Sequence, residues 1–153
     1  MNKKVTVKVT VPMSAGQKAF VRGALRREES EYFKETLARL QTTFETMPRL
    51  REQDGKGGEA LMYLHYFTGN SDWWIMEVGK KETVTILDVD GRGNMIERDI
   101  EMCEAFGFTC LNGWTDCAEL GYINLSEITA AGAELDFHFE PVTLSEIKSR
   151  IAA

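Results

Sequence analysis

The chain has 153 residues and a formal net charge of −6. Hydrophobic residues are 43% and charged residues 27%, a globular composition that excludes a largely disordered chain. No apolar run approaches the roughly 20 residues of a membrane-spanning helix, and residues 1–10 do not read as a secretion signal, so a cytoplasmic protein of one domain is expected.

Val5, Val7, Val9 and Val11 alternate with Thr6, Lys8 and Thr10, which predicts a half-buried strand stopped by Pro12. Ser14 and Gln17 form a capping box, so a helix starts near Ala15, with Phe20, Ala24 and Leu25 on one side. A second helix runs on from Ser30. Its apolar stripe is Phe33, Leu37, Leu40, Phe44 and Met47, and Pro48 ends it. Gln53 to Gly58 is a polar, glycine-rich loop.

From Ala60 the pattern changes to strands. They are predicted over Leu61 to Phe67, Trp73 to Val78 and Thr83 to Leu87, closed by turn signals at Thr68 to Ser71, Gly79 to Lys81 and Asp90 to Gly93. Ile96, Ile100 and Cys103 share a helical spacing, so a short helix is predicted between Asn94 and Glu104. Phe106 to Leu111 is a strand, Asn112-Gly113 a hairpin turn and Leu120 to Ile123 the return. Asn124 with Glu127, or Ser126, caps a single-turn helix that ends at Gly132. Ala133, Leu135, Phe137 and Phe139 then alternate with Glu134, Asp136, His138 and Glu140, a two-faced strand with an acidic outer face. Thr143 and Glu146 cap a last helix through Ile151.

The expected architecture is α+β. A mostly antiparallel sheet carries the N-terminal strand and helices on one face, and a short C-terminal helix joins the same layer. Residues 1–153 form a single domain, with 1–46 supplying the strand plus helices and 47–153 the aromatic-rich sheet region. Trp73 and Trp74 are neighbours on a strand and must face opposite ways, so both are buried only if both sheet faces are covered.

Charge is unevenly spread. Residues 1–60 hold 12 Lys/Arg and 8 Asp/Glu, a balance of +4, and residues 61–153 hold 6 and 16, a balance of −10. Such a segment repels nucleic acid and attracts a basic surface. Cys103, Cys110 and Cys117 lack a CxxC pair and are expected to be buried thiols. Asp88 to Asn94 resembles the start of a calcium loop, but Arg92 stands where an oxygen ligand belongs, so a plain turn is expected. His65 and His138 fit no metal or protease spacing. No nucleophile elbow, P-loop or dinucleotide fingerprint is present. Trp114 follows the Asn112-Gly113 turn beside Asp116 and Glu119, a composition suited to a contact site.

Met47-Pro48, Asp54 to Gly57, Leu64 to Phe67, Asp72 to Ile75 with Glu77, Ala105 to Phe108 with Cys110 to Gly113, Ala118 to Ile123, and Gly132 to Asp136 through Pro141 with Thr143-Leu144 occur in that order. This string resembles an uncharacterised family of short accessory proteins from bacterial plasmids, phages and conjugative elements, over roughly Met47 to Ile147. The resemblance implies a mobile-element role and a bacterial or phage origin, and it brings no activity. The longer segment between Glu77 and Ala105 departs from the family pattern, and residues 1–46 lie outside it.

The expected function is therefore a non-enzymatic accessory protein that binds a host protein, in its most specific form an inhibitor of a defence nuclease. The candidate binding residues are Asp72, Trp114, Asp116, Glu119, Glu134, Asp136, His138 and Glu140. The partner has a basic surface, nucleic acid is not expected as a direct ligand, and no cofactor, metal or catalytic residue is assigned. The sequence does not set the oligomeric state. One rival is a carboxylate-based hydrolase or nucleotide-modifying enzyme using some of His65, Asp72, Glu77 and Glu119. Another is DNA binding through Lys3, Lys4, Lys8, Lys18, Arg22 and Arg26.

Overall fold

The structure, a computed structural model, describes residues 8–26 and 30–152. Two helices, α1 (Ala15–Ala24) and α2 (Ser30–Thr46), precede the strands β1 (Leu61–Met62), β2 (Leu64–Thr68), β3 (Ser71–Val89), β4 (Met95–Cys110) and β5 (Glu119–Asn124). Helix α3 (Leu125–Ala130), strands β6 (Glu134–Leu135) and β7 (Val142–Thr143), and helix α4 (Leu144–Ala152) complete the chain. The main sheet is antiparallel in the order β5-β4-β3-β2-β6, and β1 pairs with β7 in a separate two-stranded sheet. The fold is α+β, as its sequence implies.

Both faces of the sheet are covered, and the two tryptophans divide between them. Trp73 packs against the layer formed by Leu37, Leu40 and Phe44 of α2 with Tyr66, Ile75 and Ala105 of the sheet. Trp74 belongs to the opposite layer, with Met62, Met76, Phe108, Leu144 and Ile147. Helix α4 therefore covers the second face, not the face that α1 and α2 occupy. The period-two alternation of the sheet makes this necessary, because Phe108 and Trp74 need an apolar cover of their own.

Three glutamine side chains act where a neighbouring strand is missing. Gln17 Nε2 donates to the Leu135 carbonyl at 2.8 Å and Gln17 Oε1 accepts from the Leu135 amide at 2.6 Å, which closes the outer edge of β6. Gln53 treats Leu61 in the same way, both bonds being 2.8 Å. Gln41 Oε1 accepts from the amides of Thr10 and Val11 at 2.7 and 2.9 Å. Lys8 to Val11 is not a strand, and the Thr10 and Val11 amides are satisfied by α2 rather than by a ladder. Val5 and Val7 of the expected strand lie outside the described residues.

The capping boxes are seen as half-boxes. Ser14 Oγ accepts from the Gln17 amide, and Thr143 Oγ1 accepts from the Glu146 amide. Asn124 Oδ1 caps α3 by accepting from Ser126 and Glu127. The stripe of α2 is buried from Leu37 to Met47, whereas Phe20 of α1 is exposed and Val21 takes its place in the core.

Three further expectations are corrected. Gly79 to Lys81 is not a turn: β3 passes through it with register shifts between Ile75 and Glu77 and between Val78 and Lys81. Asn94 to Glu104 is not a helix. It lies largely in β4, which pairs with β3 from Met95 to Cys103. The spacing of Ile96 and Ile100 satisfies a strand period as well as a helical one, and Met102 continues the same strand face. Ala133 to Glu140 is strand only at Glu134–Leu135. Beyond it, Asp136 Oδ1 accepts from the His138 amide and the Asp136 carbonyl from the Phe139 amide, so the chain turns and delivers Phe139 to the second layer.

Candidate functional site

The closest gathering of chemically active groups is built around His65. His65 on β2 stands opposite Trp74 on β3, and the rings stack at 5.1 Å and 11°. Asp72 lies two residues before Trp74 on the same sheet face, and its Oδ1 meets His65 Nε2 at 2.8 Å. Asp136 follows β6, held by its own amide donating to the His65 carbonyl at 2.8 Å, and its Oδ2 meets His65 Nδ1 at 3.0 Å.

This geometry occupies both ring nitrogens. Each nitrogen lies within hydrogen-bond distance of a carboxylate oxygen, so the polar capacity of the ring is used within the protein. No nitrogen is left to bind a metal or take a proton from a substrate, and the side chain is only 14% exposed. His65 therefore works as a strut that ties β6 to β2 and β3. His65→Ala should lower the unfolding free energy by about 2 kcal/mol in urea titration. The partial exposure of Asp72 and Asp136 screens the remaining repulsion and holds the loss to that size.

The four residues of the enzyme reading do not converge. His65 and Asp72 meet, but Glu77 is buried elsewhere, accepting from the amides of Arg51 and Gln53 at 2.8 Å each. Glu119 opposes Thr109, which opposes Trp73, so it lies on the other face from Asp72. Among the described residues no group of three or more His, Cys, Asp or Glu could hold a metal ion. Asp88 and Val89 end β3, and Asp90 to Asn94 is the β3–β4 turn. The amides of Asn94 and Arg92 bond to Asp90 and hold its carboxyl below the ordinary range.

The candidate binding residues fall into two groups at one end of the sheet. In the first, Glu134 opposes Phe67, which opposes Asp72. Glu134, Asp136 and His138 line a groove of about 390 Å³ with Phe20, Phe67 and Gln17. His138 Nδ1 lies 3.5 Å from the Tyr32 hydroxyl. In the second, Trp114 is 65% exposed in the β4–β5 loop, and Asp116 borders a groove with Phe108, Lys148 and Ile151 of the α4 side. The Asn112 amide donates to Ser71 Oγ at 3.0 Å, which ties this loop to the β2–β3 turn beside Asp72. Glu140 is exposed and joins neither group. Phe67, Phe20 and Tyr32 are not recognisable as site residues in the sequence. Pairing the strands outward from the Gly69-Asn70 turn would have found Phe67 between Asp72 and Glu134.

Cys103 and Cys110 are buried as expected, but Cys117 is exposed in the same loop as Trp114. Burial pushes both buried thiols above their ordinary range. Maleimide labelling of the folded protein near neutral pH should therefore modify Cys117 quickly and the other two only on unfolding.

Lys18, Arg22 and Arg26 are exposed on or just after α1, while Lys3 and Lys4 lie outside the described residues. No described helix is long and apolar enough to cross a membrane. No family model, curated protein or solved structure matches the chain.

Proposed function

We propose that this is a non-enzymatic binding protein that docks a basic protein surface on the acidic end of its sheet. The observation that carries this reading is the placing of an exposed indole, Trp114, at the same end as Asp72, Asp116, Glu134 and Asp136. Among the described residues no lysine or arginine bridges any of these carboxylates. Asp72 and Asp136 share the single His65 ring, and Asp116 and Glu134 have no ion-pair partner among the described residues, so the end keeps an excess of negative charge that steers a cationic partner; a protruding tryptophan supplies the apolar anchor that charge alone lacks. In its most specific form the partner is a nucleic-acid-handling protein of a host defence system, and the carboxylates take the positions of phosphates. That form, with its mobile-element setting, rests on the family resemblance.

The saturated state of His65 and the separation of Glu77 and Glu119 favour binding over catalysis. The test is retention of proteins from a bacterial lysate on the immobilised chain. Basic proteins should be retained and released near 1 M salt, where the Debye length falls to about 3 Å. Trp114→Ala, and separately Asp116→Asn with Glu134→Gln, should each abolish retention. Capture that is indifferent to salt and to these substitutions would sink the reading.

A further inference from the structure

Beyond the body of the sheet, β3 and β4 continue together as a two-stranded ribbon. Strand β2 pairs with β3 only from Ser71 to Ile75, and β5 pairs with β4 only from Glu104 to Thr109. The β3–β4 ladder runs on from Lys81 and Cys103 to Val89 and Met95. Among the described residues, no strand lies on either outer edge of this ribbon. It is also apolar for a solvated element. Val84, Ile86, Ile96, Ile100 and Met102 share one face, and Leu87, Val89 and Met95 are more than 60% exposed on the other. An isolated two-stranded ribbon is marginally stable in water, and edges of this kind invite another strand.

Charge decides which strand can fill the edge. A strand meeting its own copy across a two-fold axis runs antiparallel to it, so residues equidistant from the axis face each other. On β4 the registers centred from Glu97 to Glu101 set like charges together, and those centred on Ile96 or Met102 bring no opposite charges together. Centring on Glu97 or Asp99 opposes each to itself, centring on Arg98 opposes Glu97 to Asp99, and centring on Ile100 opposes Asp99 to Glu101. On β3 the register centred on Val84 is different. It opposes Val84 to Val84, Thr83 to Thr85, Glu82 to Ile86, Lys81 to Leu87 and Lys80 to Asp88. The last pair joins opposite charges and occurs twice by symmetry. The two Val84 side chains meet at the axis, with an Ile86 of each copy beside them.

We propose that the ribbon is a dimerisation arm, in which the β3 edge of one chain pairs with the β3 edge of a second copy about Val84. The arm leaves the sheet at the end opposite to Asp72 and Trp114, so this proposal and the acidic docking surface stand or fall separately.

Sedimentation of the full chain tests it. The wild type should be dimeric at about 100 µM, and Lys80→Asp or Asp88→Lys alone should weaken association at least tenfold, because each sets like charges together twice. An equimolar mixture of the two variants should recover the dimer, since both cross-strand pairs are then again of opposite sign. Asp88 also bridges Arg98 at 3.0 Å within the ribbon, so circular dichroism should confirm that each variant is folded. In a Cys117→Ser background, Val84→Cys should form an intermolecular disulfide on mild oxidation and Thr85→Cys should not. A monomeric wild type, a dimer indifferent to both charge changes, or a mixture that stays monomeric would overturn the proposal.

Discussion

A Gly107→Ala variant is expected to lose about 3 kcal/mol of stability, seen as a lower urea midpoint at an unchanged slope. Gly107 lies in β4 opposite Ile75, just before the register of β3 shifts. A Cβ there would overlap the Trp74 carbonyl and stand 3.0 Å from Ile75 Cα. Both neighbours are backbone, so neither can turn aside as a side chain would. The close approach adjoins the register shift at Met76, whose side chain contributes to the second apolar layer. Gly121 makes the control. It is the β5 partner of Gly107, yet nothing lies within 4 Å of the place a methyl group would take on it. Gly121→Ala should therefore change stability by no more than about 0.5 kcal/mol. Equal effects at the two glycines would show that strand propensity, not close approach, sets the cost.

Glu77→Ala is expected to cost about 3 kcal/mol, and Glu77→Gln about half of that. The carboxylate is 2% exposed and accepts one bond per oxygen from the Arg51 and Gln53 amides. Alanine strands both amides without an acceptor. Glutamine keeps one acceptor and places an NH2 group against the other donor. The loss should spread beyond the pair, because Gln53 also holds the Leu61 backbone and the Met76 carbonyl. Arg51 has a φ of 76°, a left-handed backbone that costs energy and is fixed in place by its amide bond to Glu77. Limited proteolysis should accordingly open the variant first between Arg49 and Gly58. Cleavage no faster than in the wild type would contradict this account of the loop.

Much of the fold is legible in the residues, and the failures have common physical causes. The helices α1, α2, α3 and α4 are readable because caps and apolar stripes are local signals. The opposite facing of Trp73 and Trp74 is readable because the strand period is local too. The continuation of β3 through Gly79 to Lys81 is not, since a bulge and a turn draw on the same residue types. The turn after Leu135 is hidden because Asp136 reads as one more outward carboxylate, whereas its oxygens serve His65 and the His138 amide. The parts of the candidate site that are legible in the residues, exposed Trp114 and the acidic groups beside it, are those whose setting is a surface loop. What stays out of reach is the bond of His65 to Asp72 and Asp136, which depends on three strands meeting.

The two-sided sheet also gives the molecule a built-in spectroscopy. Each apolar layer owns one indole, and the third indole stands in water. Emission of the buried Trp74 should be quenched by the stacked His65 ring, while half-buried Trp73 should emit at a wavelength between those of Trp74 and exposed Trp114. Chains retaining a single tryptophan would then follow the loosening of each layer, and of the outer loop, one at a time.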